Sequence, residues 1–310
     1  MNREFCLDFS RAFGSLLGSG VIRHTPADFQ VTEILGFEPS GSGEHVYLYV
    51  RKIDANTGWV AEQLARFLNI RHFDVGYAGR KDRHAETEQW FSCWLPGNRE
   101  PDWSNLQIEG IEILKIVRHD KKLRRGDHLG NRFKLRISEL RVSVDESILI
   151  TRLNLLKRNG FPNYFGEQRF GRGGGNLQKA NELLNGAKLG RRQRNLYISA
   201  ARSYLFNWAL SKKVDNGQWT GCKYAWLYGL APHRDIEVPA VDVDFQDWGQ
   251  GLERLGVKAM RRSLAVLPEE FDWQFSTDQS QLVLAFSLPS GAYATCLLRE
   301  LIDYEEVRIE

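Results

Sequence analysis

Glu44-His45-Val46-Tyr47-Leu48-Tyr49-Val50-Arg51-Lys52 alternates: Val46, Leu48 and Val50 share one side, while Tyr47, Tyr49 and Arg51 share the other. That pattern predicts a half-buried strand. Just downstream, Asn56-Thr57 can cap a helix whose Val60, Leu64 and Phe67/Leu68 recur at helical spacing. Residues 73–77 and 87–95 then read as two more strands, joined by Gly79-Arg80-Lys81-Asp82-Arg83-His84-Ala85. Strand, helix, strand, loop, strand is the signature of an α+β unit.

Working outward, strands are expected at 108–117 and through Phe133, Leu135 and Ile137, and a helix at 144–157 through Ile148, Leu149, Leu153 and Leu156. Character changes near Gly160. Phe161 to Gly166 and Arg172 to Asn176 are loop-rich and basic, and helices are expected at 177–184 and 199–212. Residues 214–250 are rich in Gly, Trp and Asp with weak periodicity, and 252–267 read as helical. A strand at 282–288, the turn Pro289-Ser290-Gly291 and a last helix carrying Leu297, Leu298, Leu301 and Ile302 close the chain. This order fits one domain inserted into another: 1–159 with 267–310, and a mostly helical insert at 160–266.

With 42% hydrophobic and 26% charged residues, the chain has an ordinary globular profile. No apolar run approaches the ~20 residues a membrane helix needs. Met1-Asn2-Arg3-Glu4-Phe5 has an early acid and no apolar stretch, so no secretory signal is expected and the protein is placed in the cytoplasm. Cys6, Cys93, Cys222 and Cys296 lie far apart without metal-ligand spacing; reduced thiols and no zinc are expected. A net charge of +3 decides little, but its distribution is uneven. Lys121, Lys122, Arg124 and Arg125 lie in a basic run from Lys115 to Arg136, and Lys188, Arg191, Arg192 and Arg194 form a second cluster. Such clusters fit a polyanion footprint, or simply a solvated face.

Asp82 is the candidate for chemistry. It sits between predicted strands among Arg80, Lys81 and Arg83, and a carboxylate among cations stays ionised, as a nucleophile must. The same residues would serve a loop salt bridge. Gly171 to Gly175 could cradle a phosphate but lacks the Lys-Ser/Thr ending of a P-loop. His84 and His119 could meet protons or phosphates, or make ordinary polar contacts. Residues alone lead to a basic, RNA-compatible chain that could be an enzyme or a non-catalytic RNA binder.

Gly76-Tyr77-Ala78-Gly79-Arg80-Lys81-Asp82-Arg83-His84-Ala85 with Thr87-Glu88-Gln89-Trp90 resembles the active-site motif of TruD-type tRNA pseudouridine synthases. Four further strings resemble that family in order: Pro26-Ala27-Asp28-Phe29 with Phe37-Glu38-Pro39; Gly130-Asn131-Arg132-Phe133; Asn163 to Gly171; and Leu288 to Thr295 with Arg299-Glu300-Leu301. The resemblance implies a catalytic domain on a mixed, largely antiparallel sheet, an inserted TRUD domain, and RNA bound between them. It implies Asp82 as nucleophile, Phe29, Asn131 and Tyr293 against the target uridine, Arg23 as a basic residue near the site, and Phe133 as the aromatic after the Gly-Asn pair. tRNA is the implied partner, with uridine 13 of the D arm as target. A monomer is expected, with no cofactor, no metal and no membrane. Tyr293 stands where the family would have Phe, so its hydroxyl is expected to be dispensable. The insert looks shortened after residue 213.

Overall fold

The computed structural model describes residues 3–97, 99, 101–220, 224–233 and 235–307, with Arg192 as backbone only. Two compact units emerge: a sheet unit of Gly18–Asp145, Pro268–Gly291 and Asp303–Glu310, and a helical unit of Met1–Leu17, Glu146–Leu267 and Ala292–Ile302.

The sheet unit begins with β1 (Gly18–Ile22), β2 (Phe29–Ile34), β3 (His45–Ile53), β4 (Val75–Tyr77), β5 (Glu86–Trp94), β6 (Ile111–His119) and β7 (Gly130–Val142). The chain then crosses the helical unit, where β8 (Phe161–Pro162) pairs with β11 (Ala265–Val266) and β9 (Tyr224–Leu227) with β10 (Met260–Ser263). It returns as β12 (Glu269–Phe275), β13 (Leu282–Pro289) and β14 (Asp303–Glu306). The large sheet runs β12-β13-β7-β2-β5-β3-β6, with β1 joined to β7 and β14, and β4 to β5. Only β2–β5 and β1–β14 are parallel among its described pairs, so the fold is α+β on a mixed, largely antiparallel sheet.

Helix α1 (Thr57–Leu68) starts where Asn56 Oδ1 accepts from the Gly58 amide at 2.9 Å, and ends at Asn69 in the left-handed region. Its Val60, Leu64 and Leu68 pack on Val46, Leu48, Val50 and Phe91 of the sheet. Each such fully buried side chain contributes roughly 1.5–3 kcal/mol. Strand alternation and helical spacing thus meet in one core.

The helical unit holds α2 (Glu146–Asn159), α3 (Gly175–Leu184), α4 (Arg191–Asp215), α5 (Gln246–Arg254) and α6 (Ala294–Leu298). Aromatic rings fill its centre: Phe9 stacks on Tyr164 at 5.5 Å, and Tyr204 meets Phe170 and Trp248 edge-on.

Several details differ from the sequence reading. Helix α2 and residues 292–302, expected with the first domain, group with the helical unit. Arg152 of α2 joins them by donating to the Glu300 carbonyl at 2.9 Å. Residues 252–267 are not one helix. α5 stops at Arg254, Gly256 turns with φ 69°, and Met260–Ser263 pairs with Tyr224–Leu227. The last helix is short, and Asp303–Glu306 leaves it to pair with β1. Cys6, Cys93 and Cys296 are free thiols; Cys222 lies outside the described residues.

Candidate active site

Strand register lines up one face of the sheet. Lys52, Val50, Leu48 and Val46 of β3 pair with Thr87, Gln89, Phe91 and Cys93 of β5. Val31 of β2 pairs with Thr87, and Phe29, Val31 and Glu33 pair with Leu135, Phe133 and Asn131 of β7. Directly paired residues share a side. Most of this face is apolar, but Lys52, Thr87, Gln89 and Glu33 form a buried polar row across it.

That row holds the loop carrying Asp82. Gln89 Nε2 donates to the Gly79 carbonyl at 3.2 Å, and its Oε1 accepts from the Thr57 hydroxyl at 2.9 Å. The same hydroxyl oxygen accepts from the Lys81 amide at 3.0 Å. Lys81 Nζ meets Glu33 Oε2 at 2.5 Å, while Glu33 Oε1 accepts from the Trp90 amide at 3.1 Å. Lys52 Nζ donates to the Asp82 carbonyl at 2.8 Å and to the Ala55 carbonyl at 2.7 Å. His84 Nδ1 lies 2.8 Å from Asp54 Oδ1, and the Asp54 amide donates to the Ala85 carbonyl at 3.3 Å. Nearly every residue of the loop is tied to the scaffold, which fixes a functional group by preorganisation.

The Asp82 carboxylate itself accepts from Arg23 Nη2 at 2.8 Å and keeps 37% of its side-chain surface exposed. It is held and still reachable. This corrects the expectation that its sequence neighbours surround it. Lys81 is spent on Glu33, Arg83 approaches Asp54 at 3.9 Å, and the cation on Asp82 comes from 59 residues upstream. Arg23 follows β1 in the left-handed region, φ 58°, a conformation that costs a non-glycine residue of order 1 kcal/mol. Its guanidinium lies 4.0 Å from the centre of the Phe29 ring, and Nη1 is 3.9 Å from Glu306.

Phe29 is buried under that guanidinium and meets Phe133 edge-on at 6.3 Å; Phe133 in turn stacks on Phe286 at 5.5 Å. Asn131, paired with Glu33 on the same face, has a buried Oδ1 without a hydrogen-bond partner. Burial drives the Lys52 ammonium down to about 8, against a smaller upward pull from Asp82. His128 sits beside Gly79, and burial, helped by Lys81, lowers its proton affinity.

The family described as tRNA pseudouridine synthase D (TruD) matches residues 17–185 and 239–301, well over half of the chain. A tRNA pseudouridine synthase D of Cellvibrio japonicus is 44% identical, with 97% of this chain and 94% of that protein covered. The chain belongs to the TruD family. Pseudouridine synthases are isomerases, and this chain is an enzyme of that class. The Methylococcus capsulatus relative is 39% identical over 96% of this chain and 95% of its own length. A crystal structure from Methanosarcina mazei, assigned as tRNA pseudouridine synthase D, shares the fold with a TM-score of 0.68 at 18% identity, covering 94% and 95% of the two chains. The family match skips 186–238, which includes the Trp- and Gly-rich stretch where the insert looked shortened.

Tyr293 belongs to the helical unit and caps α6. Its hydroxyl accepts from Arg169 Nη2 at 2.9 Å, and its ring meets Phe165 edge-on at 6.1 Å. Arg262 lies 3.9 Å over Phe165, and burial pushes it down to about 10. Tyr293 is therefore part of an arginine–aromatic cluster, and its hydroxyl has work that a Phe could not do. Of the expected backbone contacts, Lys121, Arg124 and Arg125 are exposed, but Lys122 Nζ donates to the Phe73 carbonyl. His119 packs on Phe37 and pairs with Asp120 at 3.2 Å, a structural contact. No group of three or more His, Cys, Asp or Glu among the described residues could hold a metal ion, and no described helix is long and apolar enough to cross a membrane.

Sequence reasoning missed Lys52, Glu33 and Gln89. A signal existed: each continues an alternation whose other members are mostly apolar, which points it inward.

Proposed function

We propose that this protein isomerises uridine to pseudouridine in tRNA, at uridine 13 of the D arm, with Asp82 as nucleophile. One observation supports it above the rest: a reachable carboxylate gripped by a largely enclosed arginine, on a loop fixed to the scaffold from Gly79 to Ala85. A mere loop salt bridge would not need that scaffolding.

The target uridine leaves its stack at a cost of a few kcal/mol. Asp82 attacks the sugar or the base, and the N1–C1′ bond breaks. The uracil turns, C5 bonds to C1′ as the bond to Asp82 is released, and the C5 proton departs while N1 gains one, so atoms balance without redox change. Arg23 holds the carboxylate in place through its 2.8 Å contact. The unpartnered Asn131 Oδ1 suits an N–H donor of the uracil, and Phe29 with Phe133 supports Arg23 from below. Tyr293, with Arg169 and Arg262, offers RNA a cationic and aromatic contact. Under this proposal the protein works on tRNA as a monomer in the cytoplasm.

Asp82→Asn is nearly isosteric and removes the nucleophile. Pseudouridine mapping should show loss of D-arm modification while tRNA binding stays within a few-fold. Residual turnover within about tenfold of wild type would place the nucleophile elsewhere.

A further inference from the structure

The buried lysine behind the loop has no place in the chemistry just described. Lys52 is wholly enclosed, and no carboxylate pairs with its ammonium among the described residues. Leaving a charge unpaired in the interior is costly, and a structural position here would be filled by the Val or Leu that precede it on the same face. Its two hydrogen bonds are also specific. One reaches the carbonyl of Asp82 and the other that of Ala55, in the connection between β3 and α1. Lys52 thereby clamps the backbone of the catalytic loop to the scaffold, while Arg23 holds the side chain of the same residue. A carbonyl contacted by an ammonium fixes the Cα of its residue, and with it the origin of the side chain.

We propose that Lys52, as its ammonium, is a positioning residue for Asp82: it holds the loop backbone so that the carboxylate meets Arg23 and the target nucleoside. The inference rests on the assignment of Asp82 as nucleophile. Protonated Lys52 makes both bonds charge-assisted, whereas the neutral amine makes weaker ones. The charged groups acting on it are Asp82 and Asp54, which favour the ammonium, and Lys81, which opposes it; Lys81 is itself held by Glu33. Burial outweighs them and brings the ammonium down to about 8. Loss of the proton above that pH should therefore loosen the clamp.

The test compares wild type, Lys52→Met and Asp82→Asn as full chains acting on tRNA transcript, with thermal melts alongside. Misplacing a reacting group by about 1 Å costs on the order of 100-fold. Lys52→Met should lose about that much in kcat, with the tRNA dissociation constant within threefold. Wild-type kcat should fall with rising pH between 7.5 and 9, and this limb should vanish from the residual activity of Lys52→Met. If Lys52→Met folds poorly, the wild-type profile still decides, since a flat profile across that range overturns the proposal. So does a Lys52→Met protein that melts normally and keeps kcat within threefold while Asp82→Asn is inactive. Activity in Asp82→Asn would instead sink the nucleophile assignment, and the two failures are distinguishable.

Discussion

Lys81 and Glu33 form an ion pair whose side chains keep 4% and 0% of their surface. Replacing Lys81 by Met leaves the Glu33 carboxylate buried with the Trp90 amide as its remaining partner. Breaking a buried pair from one side costs about 3–5 kcal/mol, because the stranded charge has lost its water and its counter-ion. In a domain of this size each kcal/mol moves the melting temperature by about 2–4 °C, so a drop of roughly 6–20 °C is expected. Adding Glu33→Gln to Lys81→Met removes the stranded charge and keeps an acceptor for Trp90. The double variant should then be more stable than Lys81→Met alone. Urea unfolding of the four proteins closes the cycle, with an interaction energy of at least about 1 kcal/mol expected for residues in contact. Simple additivity, or a Lys81→Met loss below about 1 kcal/mol, would show that the pair is solvated and does not anchor the loop.

Three other outcomes follow from the geometry. Replacing Arg124 and Arg125 by Ala should flatten the plot of log tRNA affinity against log salt by about 0.7–0.9 per lost phosphate contact, whereas Lys122→Ala should leave the slope unchanged and lower stability. An unchanged slope for the first pair would make the run a solvated face. Tyr293→Phe should cost roughly 1 kcal/mol of stability through the lost Arg169 bond but keep the ring, while Tyr293→Ala should lower kcat/KM about 10- to 100-fold; equal activity of both would remove the ring from RNA contact. Lys52 sits near 8 when folded and 10.5 when free, so between those values the unfolded chain binds the extra proton and stability should rise with pH. The wild-type urea midpoint should therefore rise relative to that of Lys52→Met across this window; a constant difference would contradict the shift.

Legibility followed the range of the interactions. The alternation of β3, the cap and face of α1, and the loop with Asp82 are local patterns, and all were readable. Arg23 against Asp82 was suggested by likeness alone, because nothing local links positions 59 residues apart. Residues 252–267 misled because apolar spacing suits a helix, while pairing with Tyr224–Leu227 decides the outcome from outside the window. Lys122 looked like its exposed neighbours, and only the fold turns it toward Phe73.

Strand β7 lies between β2 and β13, yet roughly 140 residues separate Val142 from Leu282. On the ribosome, at about 5–20 residues per second, one edge of β7 waits roughly 7–28 s for its neighbour. An open edge of that length invites another nascent chain. Arg132, Lys134 and Arg136, alternating with the buried Phe133, Leu135 and Ile137, put a comb of positive charge along the waiting strand. Like charges along that edge would repel a neighbouring copy until β13 arrives, so neutralising all three should lower soluble yield more than it lowers the stability of the finished protein.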